Sequence, residues 1–158
     1  MQDIPMAPPE WQVSEWLNTA TPPTLADLRG QVVVVHAFQM LCPGCVAHGL
    51  PQARRIAQVF AGRDVAVLGL HTVFEHHAVM TPAALRVFLQ EYRITFPVGI
   101  DRPGDPGPLP CTMQAYGLEG TPTLLVFDRS GQLCLRQLGQ LDDMAVGGLI
   151  GELLALPA

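Results

Sequence analysis

Lysine is absent from this chain of 158 residues, and all nine of its basic residues are arginines. Without lysine, no mechanism can use a lysine amine as a nucleophile or form a Schiff base through one. Acidic residues outnumber basic ones, and the net charge at pH 7 is −5. Nucleic acids and anionic membrane surfaces bind basic protein faces, so the charge argues against both as partners.

Long apolar runs are also missing, and no hydrophobic stretch of the sequence could span a bilayer. Residues 1–5 lack the hydrophobic segment of a secretory signal, which predicts a chain that works in a reducing cytoplasm, or an exported one if a signal preceded this sequence. Four cysteines are too few for a disulfide-stapled miniprotein. Because 49% of the residues are apolar, we expect a single domain over residues 1–158, with a flexible arm at residues 1–10.

Strands and helices alternate in the predicted fold. The β-branched run Val32–Phe38 is typical of a strand that is buried on both faces of a sheet. A helix is expected from 43 to 61 with a kink at Pro51, and Thr81-Pro82 has the residue types that begin another helix. The alternation predicts an α/β fold whose mixed sheet is flanked by helices. Further strands are expected at 65–70, 96–100, 123–127 and 133–138, a short helix at 112–116, and a helix at the C-terminus.

The segment Cys42-Pro43-Gly44-Cys45 carries the clearest chemical signal, because it follows the buried strand directly and opens a helix. Unpaired N–H groups and the positive end of the helix dipole stabilise a thiolate over a thiol. We therefore expect Cys42 to be an exposed nucleophile. Cys45 should be a buried thiol that resolves the mixed disulfide formed at Cys42. The pair predicts exchange with a protein or small-molecule disulfide substrate.

A zinc site is the main structural alternative for this pair. Structural zinc needs four ligands, but the chain has no second Cys-x-x-Cys pair, and Cys111 and Cys134 are isolated. The sequence also contains no G-x-G-x-x-G segment for a flavin or nicotinamide. We therefore expect no metal and no cofactor, and an external thiol as electron donor.

Four segments stand in an order that resembles the thioredoxin superfamily. The long interval between Cys45 and Pro122, together with the lead-in at 25–30, is similar to the TlpA-like or redoxin branch, which is related to AhpC/TSA proteins. The resemblance implies a thioredoxin-like fold with that branch's extra strand–helix insertion. The segments are Val32–Phe38, Cys42-Pro43-Gly44-Cys45, Gly120-Thr121-Pro122-Thr123 and Asp128-Arg129-Ser130-Gly131.

The resemblance also implies residues that support the cysteines. It implies a cis peptide bond between Thr121 and Pro122, with the Thr121 backbone turned toward Cys42 so that it can pair with an extended substrate. Pro43 and Gly44 would shape the turn between the two cysteines.

Three positions depart from the family pattern. Leu41 stands where the family usually has tryptophan, His36 where plain thioredoxins carry a buried aspartate, and His48 where TlpA-like members often carry glutamate. A buried base near Cys45 would help this thiol lose its proton. We expect His48 to be that base, with His36 as the second candidate, although both could be structural histidines.

Two other functions stay open on the sequence alone. A peroxiredoxin-like thiol peroxidase would use Cys45 as its peroxidatic cysteine, because the segment 40–45 resembles the bacterioferritin-comigratory branch. That branch, however, has threonine where Cys42 stands and proline where Phe38 stands, and the threonine hydroxyl orients the peroxide. A non-catalytic binding module would keep the same fold for protein contacts.

Two groups of residues outside the motif also carry expectations. Cys134 alternates with apolar neighbours and is predicted to be buried, whereas Cys111 follows a proline-rich loop and is expected to be exposed. A polar cluster follows the second buried strand and is predicted to be a solvated loop rather than a metal site. Its members are His71, Glu75, His76 and His77.

Overall fold

The sheet that organises the chain has six strands. The computed structural model describes residues 7–158. The strands lie side by side in the order β1-β4-β3-β2-β5-β6. β2, β3 and β4 run parallel, and the other pairings are antiparallel, so the sheet is mixed, as the sequence predicts. The strands are β1 Val13–Leu17, β2 Val32–Phe38, β3 Val65–His71, β4 Val98–Asp101, β5 Thr123–Phe127 and β6 Leu133–Leu138.

In the described part of the chain, four α-helices flank the sheet: α1 Leu50–Val59, α2 Pro82–Glu91, α3 Cys111–Ala115 and α4 Asp143–Ala155. The predicted start of α2 is confirmed, because the Thr81 side chain accepts a hydrogen bond from the Ala84 N–H and caps the helix. Within residues 7–158, no helix is long and apolar enough to cross a membrane.

Strand β2 is buried along its whole length because both faces of the sheet are covered. Val34 and Phe38 belong to the face that packs against α1, α2 and α4. Val33 and Val35 belong to the opposite face, which packs against α3 and the two tryptophans of the N-terminal segment. This double burial explains why β2 is apolar at nearly every position rather than at alternate ones.

The helix predicted from 43 to 61 contains a wider turn than expected. Residues 45 to 49 form a π-helical turn, closed by a hydrogen bond from the Leu50 N–H to the Cys45 carbonyl, and α1 follows. Pro51 has no N–H, and its ring would press against the carbonyl four residues earlier in a regular α-helix. The π-helical turn ends just before Pro51, which lies in the first turn of α1, and the predicted kink at Pro51 stays a prediction.

Residues 9 and 10 do not behave as the predicted flexible arm. The Tyr116 hydroxyl donates a hydrogen bond to the Pro9 carbonyl. The Glu10 carboxylate accepts hydrogen bonds from the Leu25 and Ala26 N–H groups at 2.7 and 2.9 Å. These bonds attach the segment to the rest of the chain, so the prediction is corrected here. Residues 1–6 of the predicted arm lie outside the described residues.

Two positions on α4 provide a matched test of the core. Ile150 is fully buried, whereas Met144 is 86% exposed on the same helix. We expect Ile150→Ala to lower the free energy of unfolding by about 2–5 kcal/mol, because it removes buried surface and leaves a cavity. Met144→Ala should change it by less than about 0.5 kcal/mol. Urea denaturation measures both, and equal effects would contradict this placement of α4.

Candidate active site

The two cysteines of the motif lie at the carboxyl end of β2 and differ in exposure. Cys42 is half-buried, whereas Cys45 is completely buried. Both thiols are free, so the structure represents the reduced form of the pair. The sequence predicts this asymmetry, with an accessible sulfur at Cys42 and a covered one at Cys45.

The Cys42 sulfur stands where a helix-capping oxygen would stand. It accepts a hydrogen bond from the Cys45 N–H at 3.3 Å, while the Cys42 carbonyl accepts the first helical hydrogen bond, from Val46. Capping side chains accept bonds from N–H groups of the first helical turn, which are otherwise unpaired. The same N–H group can therefore stabilise negative charge on the Cys42 sulfur.

The loop before β5 also contacts the Cys42 sulfur. The Cys42 thiol donates to the Thr121 carbonyl, with a sulfur–oxygen distance of 3.5 Å, and the Thr121–Pro122 peptide bond is cis. Gly44 permits this approach, since a Cβ atom there would lie only 3.3 Å from Cδ of Pro122. The Thr121 backbone thus lies beside the Cys42 sulfur.

Burial, and after it a hydrogen bond with Cys42, raise the pKa of the Cys45 thiol to about 12. The Gln39 backbone and the Thr121 side chain act in the opposite direction, because their hydrogen bonds favour the thiolate. Cys45 is therefore a protonated thiol at neutral pH.

Gln39 is a site residue that the sequence analysis missed. It is only 1% exposed and follows β2 directly. Its Oε1 atom accepts a hydrogen bond from the Phe74 N–H at 3.2 Å. Its Nε2 atom lies 3.4 Å from Oγ1 of Thr121 and 3.5 Å from Oε1 of Glu75. A polar residue at the end of an otherwise apolar strand was the signal that could have identified it.

His36 is buried on β2 and carries an unpaired nitrogen. The residue is 2% exposed, and its Nε2 atom has no hydrogen-bond partner among residues 7–158. Burial lowers the pKa of His36 to about 3, so the ring is neutral at physiological pH. The ring lies against Gly49 so closely that any side chain at that position would overlap with it.

His48 is exposed rather than buried beside Cys45. It lines, with His36, Gly49 and Pro122, a polar cleft of about 370 Å³ next to the cysteine motif. Among the described residues, the groups that shift the pKa of Cys45 are Cys42, Gln39 and Thr121, and neither histidine acts on it. The expected buried location of His48 is corrected, and a proton-transfer role for either histidine stays a prediction.

The polar cluster after β3 is dispersed. His71 is buried and its Nε2 atom accepts a hydrogen bond from the Met40 N–H at 3.1 Å. Glu75, His76 and His77 are exposed. Across residues 7–158, no three or more histidine, cysteine, aspartate or glutamate side chains are grouped so that they could hold a metal ion.

The two isolated cysteines lie on other parts of the surface. Cys134 is exposed, so its predicted burial is wrong. It lies on β6, one of the two edge strands of the sheet, and alternation along a strand does not reveal which face is covered. Cys111 is half-buried at the start of α3, with its sulfur 3.7 Å from the Pro103 carbonyl oxygen.

Comparison with known proteins assigns the chain to a family. Residues 8–136 match the AhpC/TSA family. The chain belongs to this family. The thioredoxin-like superfamily protein SPOA0173, known from a crystal structure, is 54% identical with a TM-score of 0.94, and the match covers 97% of this chain and 99% of that one. A thiol-disulfide isomerase from Corynebacterium glutamicum is 51% identical with a TM-score of 0.90, over 94% of this chain and 96% of that one.

A more distant solved structure shares the fold of this AhpC/TSA-family chain. A putative thiol:disulfide interchange protein DsbE from Chlorobium tepidum is 21% identical with a TM-score of 0.78, over 98% of this chain and 100% of that one. The chloroplast protein SUPPRESSOR OF QUENCHING 1 from Arabidopsis thaliana is 27% identical over 141 residues, which are 85% of this chain but only 12% of that protein. The predicted thioredoxin-like fold and the resemblance to the redoxin branch are confirmed.

The buried histidines predict a loss of stability in acid. Burial lowers the pKa of His36 from 6.5 to about 3 and that of His71 from 6.5 to about 4. Below pH 6.5 the unfolded chain binds protons at these residues that the folded chain does not yet bind, so the free energy of unfolding falls as the pH falls. We expect His36→Gln and His71→Gln each to flatten this decline between pH 6.5 and pH 4. Urea denaturation at a series of pH values measures the slope, and slopes parallel to wild type would refute the prediction.

Proposed function

We propose that this chain is a thiol–disulfide oxidoreductase that works by dithiol–disulfide exchange, with Cys42 as nucleophile and Cys45 as resolving thiol. The observation that carries the proposal is the position of the Cys42 sulfur. It is accessible, accepts the Cys45 N–H bond and lies beside the Thr121 carbonyl. The similarity to a protein named thiol-disulfide isomerase, at 51% identity, supports the same function.

In the first step, the Cys42 thiolate attacks one sulfur of the substrate disulfide. A bond forms between Cys42 and that sulfur, the substrate S–S bond breaks, and the other half leaves as a thiolate. The Cys45 N–H donates a hydrogen bond to the Cys42 sulfur and stabilises the attacking thiolate. The Thr121 carbonyl, 3.5 Å from this sulfur, is placed to accept a backbone hydrogen bond from an extended substrate.

In the second step, Cys45 loses its proton to the departed thiolate or to water and attacks the Cys42 sulfur. The Cys42–Cys45 disulfide forms, and the remaining half of the substrate leaves as a thiolate. The substrate gains two electrons and two protons, and the protein is oxidised by the same two electrons. An external thiol donor then returns the pair to the dithiol form.

The state of Cys45 argues against the alternative of a thiol peroxidase that uses this residue as its peroxidatic cysteine. Such a cysteine must meet peroxide as an accessible thiolate. Cys45 is 0% exposed, and burial raises its pKa to about 12. We therefore propose disulfide exchange and not peroxide reduction.

Cysteine variants test this function in an insulin reduction assay with dithiothreitol as electron donor. Cys42→Ser should lower the rate to that of dithiothreitol alone, because the nucleophile is lost. Cys45→Ser should accumulate a mixed disulfide with insulin, because resolution fails. Cys134→Ser, a matched control at an exposed cysteine elsewhere, should keep the wild-type rate. Full activity of Cys42→Ser, or peroxide consumption by that variant through Cys45, would refute the proposal.

A further inference from the structure

A polar cleft of about 370 Å³ lies beside the loop that contacts the Cys42 sulfur. Pro122 lines the cleft, and the residue before it, Thr121, has its carbonyl oxygen 3.5 Å from that sulfur. Gly49 lines the cleft as well, and a Cβ atom there would lie 3.1 Å from Cβ of Pro122. A chain that pairs with the Thr121 backbone therefore has the cleft within reach of its side chains.

His36 contributes a buried polar atom without a partner to this cleft. The residue is 2% exposed, and its Nε2 atom has no hydrogen-bond partner in the part of the chain that the structure describes. The ring edge that carries Nε2 faces Gly49, where a Cβ atom would lie 2.6 Å from Nε2. Burial lowers the pKa of His36 to about 3, so the ring is uncharged at neutral pH. A neutral imidazole has one nitrogen that accepts a hydrogen bond, which suits a ligand that donates one.

The Gln52 amide leaves a second acceptor on the cleft. The residue is 8% exposed, and its Nε2 atom donates to the Leu141 carbonyl at 2.8 Å and to Oδ1 of Asp143 at 3.0 Å. A carbonyl can only accept, so these bonds fix which end of the amide is the nitrogen, and they use both of its hydrogens. The Oε1 atom is the end that remains to accept a hydrogen bond from a ligand.

The charges of the cleft leave one carboxylate without a basic partner. Arg55 is the one arginine among the described residues that line the cleft, and its guanidinium donates two hydrogen bonds to Asp143, at 2.7 and 3.0 Å. Asp142 is exposed, and its Oδ1 atom accepts the N–H groups of Met144 and Ala145 at the start of α4. A helix N-terminus carries only about half a positive charge, so the Asp142 carboxylate stays partly uncompensated.

The buried side chains of the cleft thus offer acceptors, and its arginine and two aspartates sum to one negative charge. We propose that the cleft is a substrate subsite, which binds a basic side chain of the polypeptide whose cysteine reacts with Cys42. Arginine and lysine side chains carry only donors and a positive charge, which match His36, Gln52 and the Asp142 carboxylate.

The subsite names the class of substrate: polypeptide disulfides with a basic residue near the reacting cysteine. This inference rests on the proposed function, because the substrate cysteine must reach Cys42. The net charge of −5 on the whole chain also favours the approach of a basic substrate.

Peptides that carry a chromophore on their cysteine report the exchange. Each peptide has arginine on both sides of one cysteine, which forms a mixed disulfide with thionitrobenzoate. The Cys42 thiolate attacks the peptide sulfur, the S–S bond breaks, and thionitrobenzoate leaves as a coloured thiolate. Cys45 then loses its proton to water and attacks the Cys42 sulfur, and the peptide leaves as a thiol. One coloured thiolate therefore appears for each dithiol that is oxidised.

A matched peptide with citrulline in place of arginine has nearly the same shape but no charge. Stopped-flow absorbance at low ionic strength gives the rate constant for each peptide with reduced protein that carries Cys111→Ser and Cys134→Ser. Each constant is divided by that of the same peptide with dithiothreitol, which removes differences in intrinsic reactivity. We expect the arginine peptide to react about 3- to 10-fold faster, the effect of one exposed ion pair and one hydrogen bond.

Two aspartate variants separate the cleft from the overall charge of the protein. Asp142→Asn removes the charge but keeps an oxygen that caps α4, and it should lower the ratio of the two rate constants below about 2. Asp128→Asn is the matched control, since Asp128 also accepts backbone N–H groups, from Ser130 and Gln132, but lies outside the cleft. It should keep the wild-type ratio. His36→Phe removes both ring nitrogens and should lower the ratio about 2-fold.

The outcomes distinguish the subsite from the proposed function. A wild-type ratio near 1, a ratio that Asp142→Asn leaves unchanged, or an equal fall in both aspartate variants would refute the subsite, and disulfide exchange would stand. Release of thionitrobenzoate by Cys42→Ser at the wild-type rate would refute the proposed function itself.

Discussion

The antiparallel pairing of β2 with β5 decides where the reactive sulfur lies. Ala37 is opposite Thr123 in this pairing, so the chain that leaves β2 and the chain that enters β5 meet at one end of the sheet. That meeting brings the Cys42 sulfur within 3.5 Å of the Thr121 carbonyl.

Several polar side chains are buried at the end of the sheet where β2 leads into the cysteine motif. Gln39 and His71 form hydrogen bonds, but Nε2 of His36 has no partner in the described part of the chain. An unpaired buried polar group costs about 1–3 kcal/mol of stability. The His36 ring stacks on Phe38 at 5.7 Å and borders the polar cleft beside Pro122, so this cost is located at the candidate site.

The features that sequence reasoning recovers are local ones. The ranges of β5 and β6, the cap at Thr81 and the asymmetry between Cys42 and Cys45 follow from residue types over a few positions. Features that depend on tertiary neighbours were missed. The hydrogen-bond partners of the Gln39 amide lie in segments far along the chain. The exposure of Cys134 depends on which face of strand β6 is covered.

Alkylation of the reduced protein tests the central claim, which is that one sulfur of the pair is reactive while its partner stays covered and protonated. The protein would be treated with iodoacetamide at pH 7, and the rate at each cysteine would be read by peptide mass spectrometry. The account predicts that Cys42 is modified first and that Cys45 is the slowest of the four cysteines. Modification of Cys45 as fast as Cys42, or an unreactive Cys42, would contradict it.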